Sequence, residues 1–413
     1  MKTVSARQAV SGIGSGTRVM IPPGCGEPLT LMEALIERSA QAESLTLMGG
    51  LLLTDYAFVE QENIKFATWH VMPKIRNAVK DGTVEFIPIR YSDIIPTFSK
   101  TGPWPAQVIL VHASPPDADG FLSLGASVSY PLPLALQDGV TVIAEVNSKM
   151  PRTCGNSRIP VSNVDWIVES DRDLVPYPSP KVRDVDREIA RHASQWIPDG
   201  ATLQIGIGSI PEAILECLTD RRRLRSHAMI VDNVIGLIER GIVEKIDAAE
   251  LMGTRRLWDF VHENPIVNME PASYTHDVSV LAGIEKFISI NSAVEVDLQG
   301  NFNAEAVDGT QISGIGGSFD FIQGALLSPG GKSIIAMTST AARGERSRIV
   351  PMLSGGTPIT TPRHCADCVI TEYGEAQMRG RSLSQRARAL IEIAHPKFRE
   401  KLEEHAGSMG WLR

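Results

Sequence analysis

The chain has 413 residues, of which 43% are hydrophobic and 21% are charged, a balance that suits a globular protein with large cores. Its 48 acidic residues outnumber its 40 basic ones, and the net charge of −8 argues against a nucleic-acid binder, which needs a basic face. No stretch approaches the ~18 uncharged apolar residues of a membrane span, and the first residues do not resemble a secretory signal. Five cysteines, an odd number spread thinly, indicate reduced thiols in a cytoplasmic protein.

In the first part of the chain, short apolar runs alternate with segments of helical spacing. A helix is predicted over 29–39, where apolar residues occur at 29, 31, 32, 35 and 36. Strands are predicted at 17–21, 45–52, 84–89, 108–111, 140–145 and 166–169. This alternation indicates parallel strands joined by crossover helices, which is an α/β fold.

A proline-rich segment divides the chain. Residues 175–182 contain three prolines in eight positions, which excludes regular structure and predicts a linker. The same alternation then resumes, with a helix predicted over 184–196. The predicted strands of this part lie at 201–205, 229–231, 250–252 and 286–291. We therefore predict two α/β domains, 1–182 and 183–413.

The segment 204–213 joins a predicted strand to a predicted helix and is rich in glycine. Gly206 and Gly208 let the backbone approach a ligand, and Pro211 fits the first turn of a helix, whose free N–H groups favour an anion. A dinucleotide fingerprint would have a third glycine where Pro211 stands. A plain strand–helix turn explains the segment as well, so this motif alone is a weak signal.

A second glycine cluster, 314–321, also enters a predicted helix. The consecutive N–H groups of Gly314, Gly316 and Gly317 are able to form an oxyanion hole. A loop near the boundary between the domains is an equally good interpretation.

Two further clusters are interpreted as structural. Glu295 and Asp297 share one face of a predicted strand, where a solvated or hydrogen-bonded pair is more common than acid–base catalysis. Cys365 and Cys368 lack the second ligand pair of a zinc site, so we interpret them as ordinary thiols.

Six motifs occur in a characteristic order, at 26–28, 111–125, 204–213, 290–303, 314–321, and 361–364 with 369–374. In this order they resemble the acetyl-CoA hydrolase/transferase family, the single-chain branch of class I coenzyme A transferases that contains 4-hydroxybutyrate/acetate CoA-transferase-like proteins. The resemblance implies two similar open α/β (Rossmann-like) domains with the active site between them. It also implies that a coenzyme A thioester is the substrate, with no resident cofactor and no metal.

The family's nucleophile is a glutamate in a pattern of the form His-Thr/Ser-Glu-Met-Ile-x-Asp-Gly. The corresponding stretch is 226–233, and Ala228 stands where the glutamate is expected. An alanine cannot attack a thioester, so the chain is either an engineered Glu-to-Ala variant or a naturally divergent member. Divergence is favoured because other family positions also differ: 158–162 lacks a family histidine, and His276 replaces a family asparagine.

The resemblance also assigns roles to other residues. Gly317 and His276 are expected at the oxyanion hole, and Gly206, Gly208, Gly314, Gly316 and Glu27 are expected to bind CoA or the acyl group. We favour His276 as a hydrogen-bonding substitute for the asparagine. The alternative is a general base that activates water.

Three functions follow from these features. The first is a CoA-transferase that moves CoA between an acyl-CoA and a small carboxylic acid, with position 228 altered. The second is an acyl-CoA hydrolase, or a C–C bond hydrolase or lyase acting on a CoA thioester, that uses His276 and water. The third is a non-catalytic acyl-CoA binding protein. In each case we expect a cytoplasmic homo-oligomer without nucleic-acid or membrane partners.

Overall fold

The computed structural model describes residues 2–39 and 44–412. Its first large sheet has eight strands, and every pairing in it is parallel. The strand order across this sheet is Lys2–Thr3, Trp166–Ser170, Thr141–Asn147, Val108–Ala113, Arg18–Met20, Leu45–Met48, Ile64–Thr68 and Val84–Phe86. The central strand Val108–Ala113 is buried along its whole length, as expected where helices cover both faces of a parallel sheet.

The second large sheet has nine strands, in the order Gly374–Gln377, Cys368–Thr371, Lys332–Ala336, Phe287–Asn291, Thr202–Ile205, Leu224–Ile230, Val243–Leu251, Val267–Met269 and Cys154–Gly155. The strand Thr202–Ile205 pairs in parallel with both of its neighbours. The edge pair formed by Cys368–Thr371 and Gly374–Gln377 is antiparallel. Together the two sheets confirm the predicted α/β class.

Helices connect these strands. The α-helices are Ala6–Ser11, Leu29–Ser39, Arg76–Lys80, Ile94–Phe98, Pro131–Ala135, Asp184–Ser194, Ser209–Cys217, Val234–Glu239, Arg255–Val261, Ala272–Thr275, Val278–Ala282, Ser318–Leu327, Leu383–Glu392 and Pro396–Ser408. Short antiparallel pairs join Phe121–Ser123 to Arg158–Pro160, Ala306–Val307 to Thr310–Gln311, and Thr340–Ala341 to Arg346–Ser347. A three-stranded sheet contains Phe302–Asn303, Glu295–Asp297 and Ile349–Val350. Among the residues described, no helix is both long and apolar enough to cross a membrane.

The chain folds into two compact units. The first contains the described residues up to Pro178 together with Ala228–Asp232 and Lys245–Asp277. The second contains Ser179–His227, Asn233–Glu244 and the described residues from Val278 onward. The first junction lies inside the proline-rich segment 175–182. A division into the continuous domains 1–182 and 183–413 stays a prediction.

Each unit has its own apolar core. In the first, Leu31 and Leu35 of the helix Leu29–Ser39 belong to one buried cluster with Leu47 and Phe66 of the eight-stranded sheet. In the second, a cluster joins sheet residues to helix residues, namely Ile335, Val369, Ile322 and Leu390.

Candidate active site

In the second unit, the predicted glycine loop lines a cavity. The loop follows the strand Thr202–Ile205 and leads into the helix Ser209–Cys217. Gly208 has φ 131° and ψ 172°, a conformation that is essentially restricted to glycine. The cavity has a volume of about 250 Å³, and its lining residues are Gly206, Ile207, Gly208, Ser209, Ile210, Pro211, Ile290, Asn291, Ser292 and Ala336. They follow the carboxyl ends of neighbouring parallel strands, where ligands bind in open α/β sheets.

The cavity has a mostly apolar lining with a few polar groups. Asn291 Nδ2 donates to Gln204 Oε1 at 3.2 Å, which holds an amide at the cavity wall. A Cβ atom added at Gly206 would meet nothing within 4 Å, so this backbone faces open space. The helix that begins at Ser209 adds the favourable end of its dipole for an anion.

The second glycine cluster also belongs to the second unit. Gly317 caps the helix Ser318–Leu327 and has φ −88°, whereas Gly316 takes the left-handed conformation, with φ 54°. None of the residues that line the cavity described above comes from this cluster. The roles predicted for Gly314, Gly316 and Gly317 stay predictions.

The first unit contains Ala228, which lies near the end of the strand Leu224–Ile230. Its side chain is buried, and its φ is 80°, in the left-handed region that a residue with a side chain rarely adopts. Such strain persists only where the surrounding fold enforces it, and it is concentrated at functional sites. The strained position carries only a methyl group.

Glu250 lies on the neighbouring strand, Val243–Leu251. Met252 N donates to Ile230 O at 2.8 Å, which pairs the ends of these two neighbouring strands. An isolated antiparallel bridge between Ser127 and Glu250 fixes the backbone of the glutamate further.

The carboxyl group of Glu250 is surrounded by hydroxyl groups. Tyr91 OH lies 3.1 Å from Glu250 Oε1 and 2.9 Å from Ser129 Oγ, and Ser129 Oγ donates to the same Oε1. Glu250 is 4% exposed. Burial raises the pKa of its carboxyl group to about 8, although the hydroxyl donors act in the opposite direction.

His276 joins this cluster through Tyr91. The two rings are stacked, with centroids 4.4 Å apart and planes inclined by 27°. His276 Nδ1 lies 2.9 Å from Thr275 Oγ1, and the side chain is buried. Tyr91 thus touches both the predicted histidine and a carboxyl group that the sequence analysis did not select. We call Tyr91, Ser129, Glu250 and His276 the Glu250 cluster.

Glu27, predicted as a binding residue, is a second buried carboxyl group of the first unit. It accepts hydrogen bonds from Leu53 N and Thr54 Oγ1, and burial raises its pKa to about 7. Cys25 lies close to both glutamates: burial raises the pKa of its thiol to about 12, and the charges of Glu250 and Glu27 add to the rise.

The sequence analysis missed Glu250, Tyr91 and Ser129. A signal for Glu250 was present, since it is the only charged residue in the apolar run 248–252, and a buried carboxylate needs partners. No sequence pattern linked it to Tyr91, 159 positions away.

The structure combines parallel α/β units, a strained strand end, buried carboxyl groups of raised pKa and a glycine-lined cavity. These features are typical of an α/β enzyme. Family models identify which one. The acetyl-CoA hydrolase/transferase N-terminal domain matches residues 1–177, and the corresponding C-terminal domain matches residues 253–406. The chain belongs to the acetyl-CoA hydrolase/transferase family, which confirms the resemblance seen in the motifs.

Relatives match over nearly the whole chain. A 4-hydroxybutyrate coenzyme A transferase of Clostridium kluyveri is 40% identical, over 97% of this chain and 96% of its own. The crystal structure of RipA from Yersinia pestis has a TM-score of 0.92 at 30% identity, covering 100% of this chain and 98% of its own. A 4-hydroxybutyrate CoA-transferase structure from Porphyromonas gingivalis has a TM-score of 0.83 at 31% identity, covering 99% and 98%.

Proposed function

We propose that this chain transfers coenzyme A between an acyl-CoA and a small carboxylic acid. One observation carries the proposal: the backbone at Ala228, the position of the family nucleophile, keeps a strained conformation with φ 80°. A strand end that had lost its role would be free to relax. The similarity to named CoA-transferases over almost the full length supports the same reaction.

The proposal gives roles to the predicted residues. Gly206 and Gly208 contact CoA or the acyl group in the second-unit cavity, with their N–H groups available as donors. His276, held by Thr275 and by Tyr91, donates a hydrogen bond to the oxygen that gains charge as the thioester is attacked. The thioester is a substrate, and the reaction needs no resident cofactor or metal.

Hydrolysis is the second candidate, and one observation favours it. Position 228 carries a methyl group, so this residue cannot form the covalent intermediate that the family glutamate would form. His276 would then take a proton from a water molecule as it attacks the thioester carbon. This reaction releases free CoA, whereas transfer leaves the amount of thioester unchanged.

The two reactions are separated by one time course. Butyryl-CoA and 4-hydroxybutyryl-CoA are each incubated with the protein, with and without acetate, and acetyl-CoA and free CoA are quantified by liquid chromatography. We expect acetyl-CoA only when acetate is present, with little free CoA. Free CoA that accumulates at the same rate without acetate would establish hydrolysis. Unchanged substrate in both samples would refute both reactions.

A further inference from the structure

We infer that the second-unit cavity holds the acyl chain of the CoA thioester, with the end of the chain on an apolar floor formed by Ile290 and Ala336. This placement rests on the proposed transfer reaction and specifies which acyl groups enter it. The floor accepts a short, uncharged chain, and Ala336 limits the length of that chain.

The floor of the cavity is apolar and buried. Ile290 and Ala336 line the cavity from two neighbouring parallel strands, and each is only 2% exposed. The strand register pairs Ile290 with Ile205 on one side and with Ile334 on the other, and both partners are buried. Side chains alternate along a strand, so Ala336 shares the face of Ile334, two residues before it. The side chains around the floor are therefore hydrocarbon as well.

The more exposed part of the lining carries the polar groups. Ser292 is exposed, Asn291 is half-buried, and the backbone of Gly206 faces open space. A ligand that matches this lining has a polar group towards solvent and hydrocarbon at the floor. An acyl thioester meets both conditions, because its carbonyl group precedes an alkyl chain. The pantetheine arm of CoA does not, because it carries amides along its length, and an amide at an apolar floor loses its hydrogen bonds.

The volume of the cavity limits the length of the chain. An apolar cavity of ~150 Å³ is large enough to bind benzene. The second-unit cavity has a volume of about 250 Å³, so it has room for the thioester carbonyl group and a short alkyl chain, ~4 to 6 carbon atoms together. Apart from the glycines, Ala336 has the smallest side chain of the lining. A larger residue at this position therefore takes space from the end of the chain.

The floor also selects against charge. A second carboxylate at the far end of an acyl group would lie against Ile290 and Ala336, whose side chains offer neither a hydrogen bond nor a positive charge. Within the part of the chain that the structure describes, no lysine or arginine lines this cavity. Burial of an ionised carboxylate without a partner is strongly unfavourable. We therefore expect the cavity to accept butyryl groups and to exclude succinyl groups.

The first test measures the binding of acyl-CoA thioesters to the unaltered protein by calorimetry. Each buried methylene group strengthens binding ~4-fold, so butyryl-CoA should bind about 15-fold more tightly than acetyl-CoA. Succinyl-CoA, whose acyl group has as many carbon atoms as butyryl, should bind at least ~10-fold more weakly than butyryl-CoA. Equal affinities for butyryl-CoA and succinyl-CoA would overturn the inference.

The second test changes the size of the cavity. Ala336→Val should lower the preference for butyryl-CoA over acetyl-CoA from about 15-fold to less than ~2-fold, because the added methyl groups occupy the floor. Ile207→Ala, which enlarges the cavity at a half-buried wall residue, should strengthen the binding of hexanoyl-CoA relative to butyryl-CoA ~10-fold. The matched control is Ile359→Ala, which changes a 54% exposed isoleucine and should leave every affinity unchanged.

Circular dichroism verifies that the variants fold. Unchanged preferences in folded Ala336→Val and Ile207→Ala would show that the acyl chain lies elsewhere and would overturn the inference. If Ala336→Val does not fold, Ile207→Ala and the comparison with succinyl-CoA still decide. All of these measurements follow binding, whereas the proposed function would be refuted by the absence of CoA transfer from butyryl-CoA to acetate.

Discussion

Replacing Glu250 by glutamine should change how the stability of the protein depends on pH. The carboxyl group has an ordinary pKa of 4.5, which burial raises to about 8 in the folded protein. Between these values the folded state holds a proton that the unfolded state releases. The free energy of unfolding therefore falls as pH rises, by about 1.4 kcal/mol for each pH unit from this group alone. Below the lower value the effect vanishes, because both states are protonated.

Glutamine keeps the acceptor oxygen for Tyr91 and Ser129 but does not ionise, so the variant lacks this slope. From pH 5 to pH 7, the stability of Glu250→Gln relative to the unaltered protein should increase by about 2 to 3 kcal/mol. Glu27, whose pKa burial raises to about 7, contributes a similar slope to both proteins, so its contribution cancels in the comparison.

Urea unfolding at several pH values, followed by circular dichroism, measures this difference. Glu244→Gln, which changes an exposed glutamate of the same strand, is the control that should parallel the unaltered protein. Parallel curves for Glu250→Gln would refute the reasoning. They would mean that the carboxyl group ionises as readily in the folded protein as in the unfolded chain.

Three further predictions concern the two units separately. Gly206→Val should fold, because a Cβ atom added at this position meets nothing within 4 Å. Calorimetry should nevertheless show that the variant binds acyl-CoA at least ~10-fold more weakly, since Gly206 lines the cavity. The control Gly236→Ala, which is also in open space within the second unit, should bind acyl-CoA normally. His276→Ala should lower the turnover number ~100-fold, measured below the melting temperature of the variant. Full activity would contradict the placement of His276 at the reacting carbonyl. Iodoacetamide at pH 8 should leave Cys25 unmodified, because burial raises the pKa of its thiol to about 12. Peptide mass spectrometry measures the alkylation. Rapid alkylation of Cys25 would show that this part of the first unit opens.

Local patterns predicted local structure well. The helix predicted over 29–39 is the helix Leu29–Ser39, because its apolar residues follow the helical period and one face is buried in the core. The strand predicted at 84–89 ends at Phe86, two residues before Pro88, which has no N–H group for a sheet. The strand predicted at 45–52 ends at Met48, before Gly49 and Gly50.

The candidate site could be predicted only in part. Gly206 and Gly208 could be selected because a glycine loop between strand and helix is a local signal; they line the cavity, and their role in binding stays a prediction. The Glu250 cluster depends on contacts between residues far apart in sequence, which only the folded chain brings together. The resemblance to the family directed attention to Ala228, the position without a carboxylate, and not to the neighbouring strand that has one.

The central claim is that the acyl-CoA reacts with a carboxylic acid and not with water. The most direct measurement uses butyryl-CoA with acetate labelled by ¹⁸O in both oxygens, in unlabelled water, with the products analysed by mass spectrometry. In transfer, an oxygen atom of the acceptor acetate passes through acyl anhydride intermediates on the protein into the released butyrate. We therefore predict acetyl-CoA together with ¹⁸O-labelled butyrate after several turnovers. Unlabelled butyrate accompanied by an equal amount of free CoA would contradict the account.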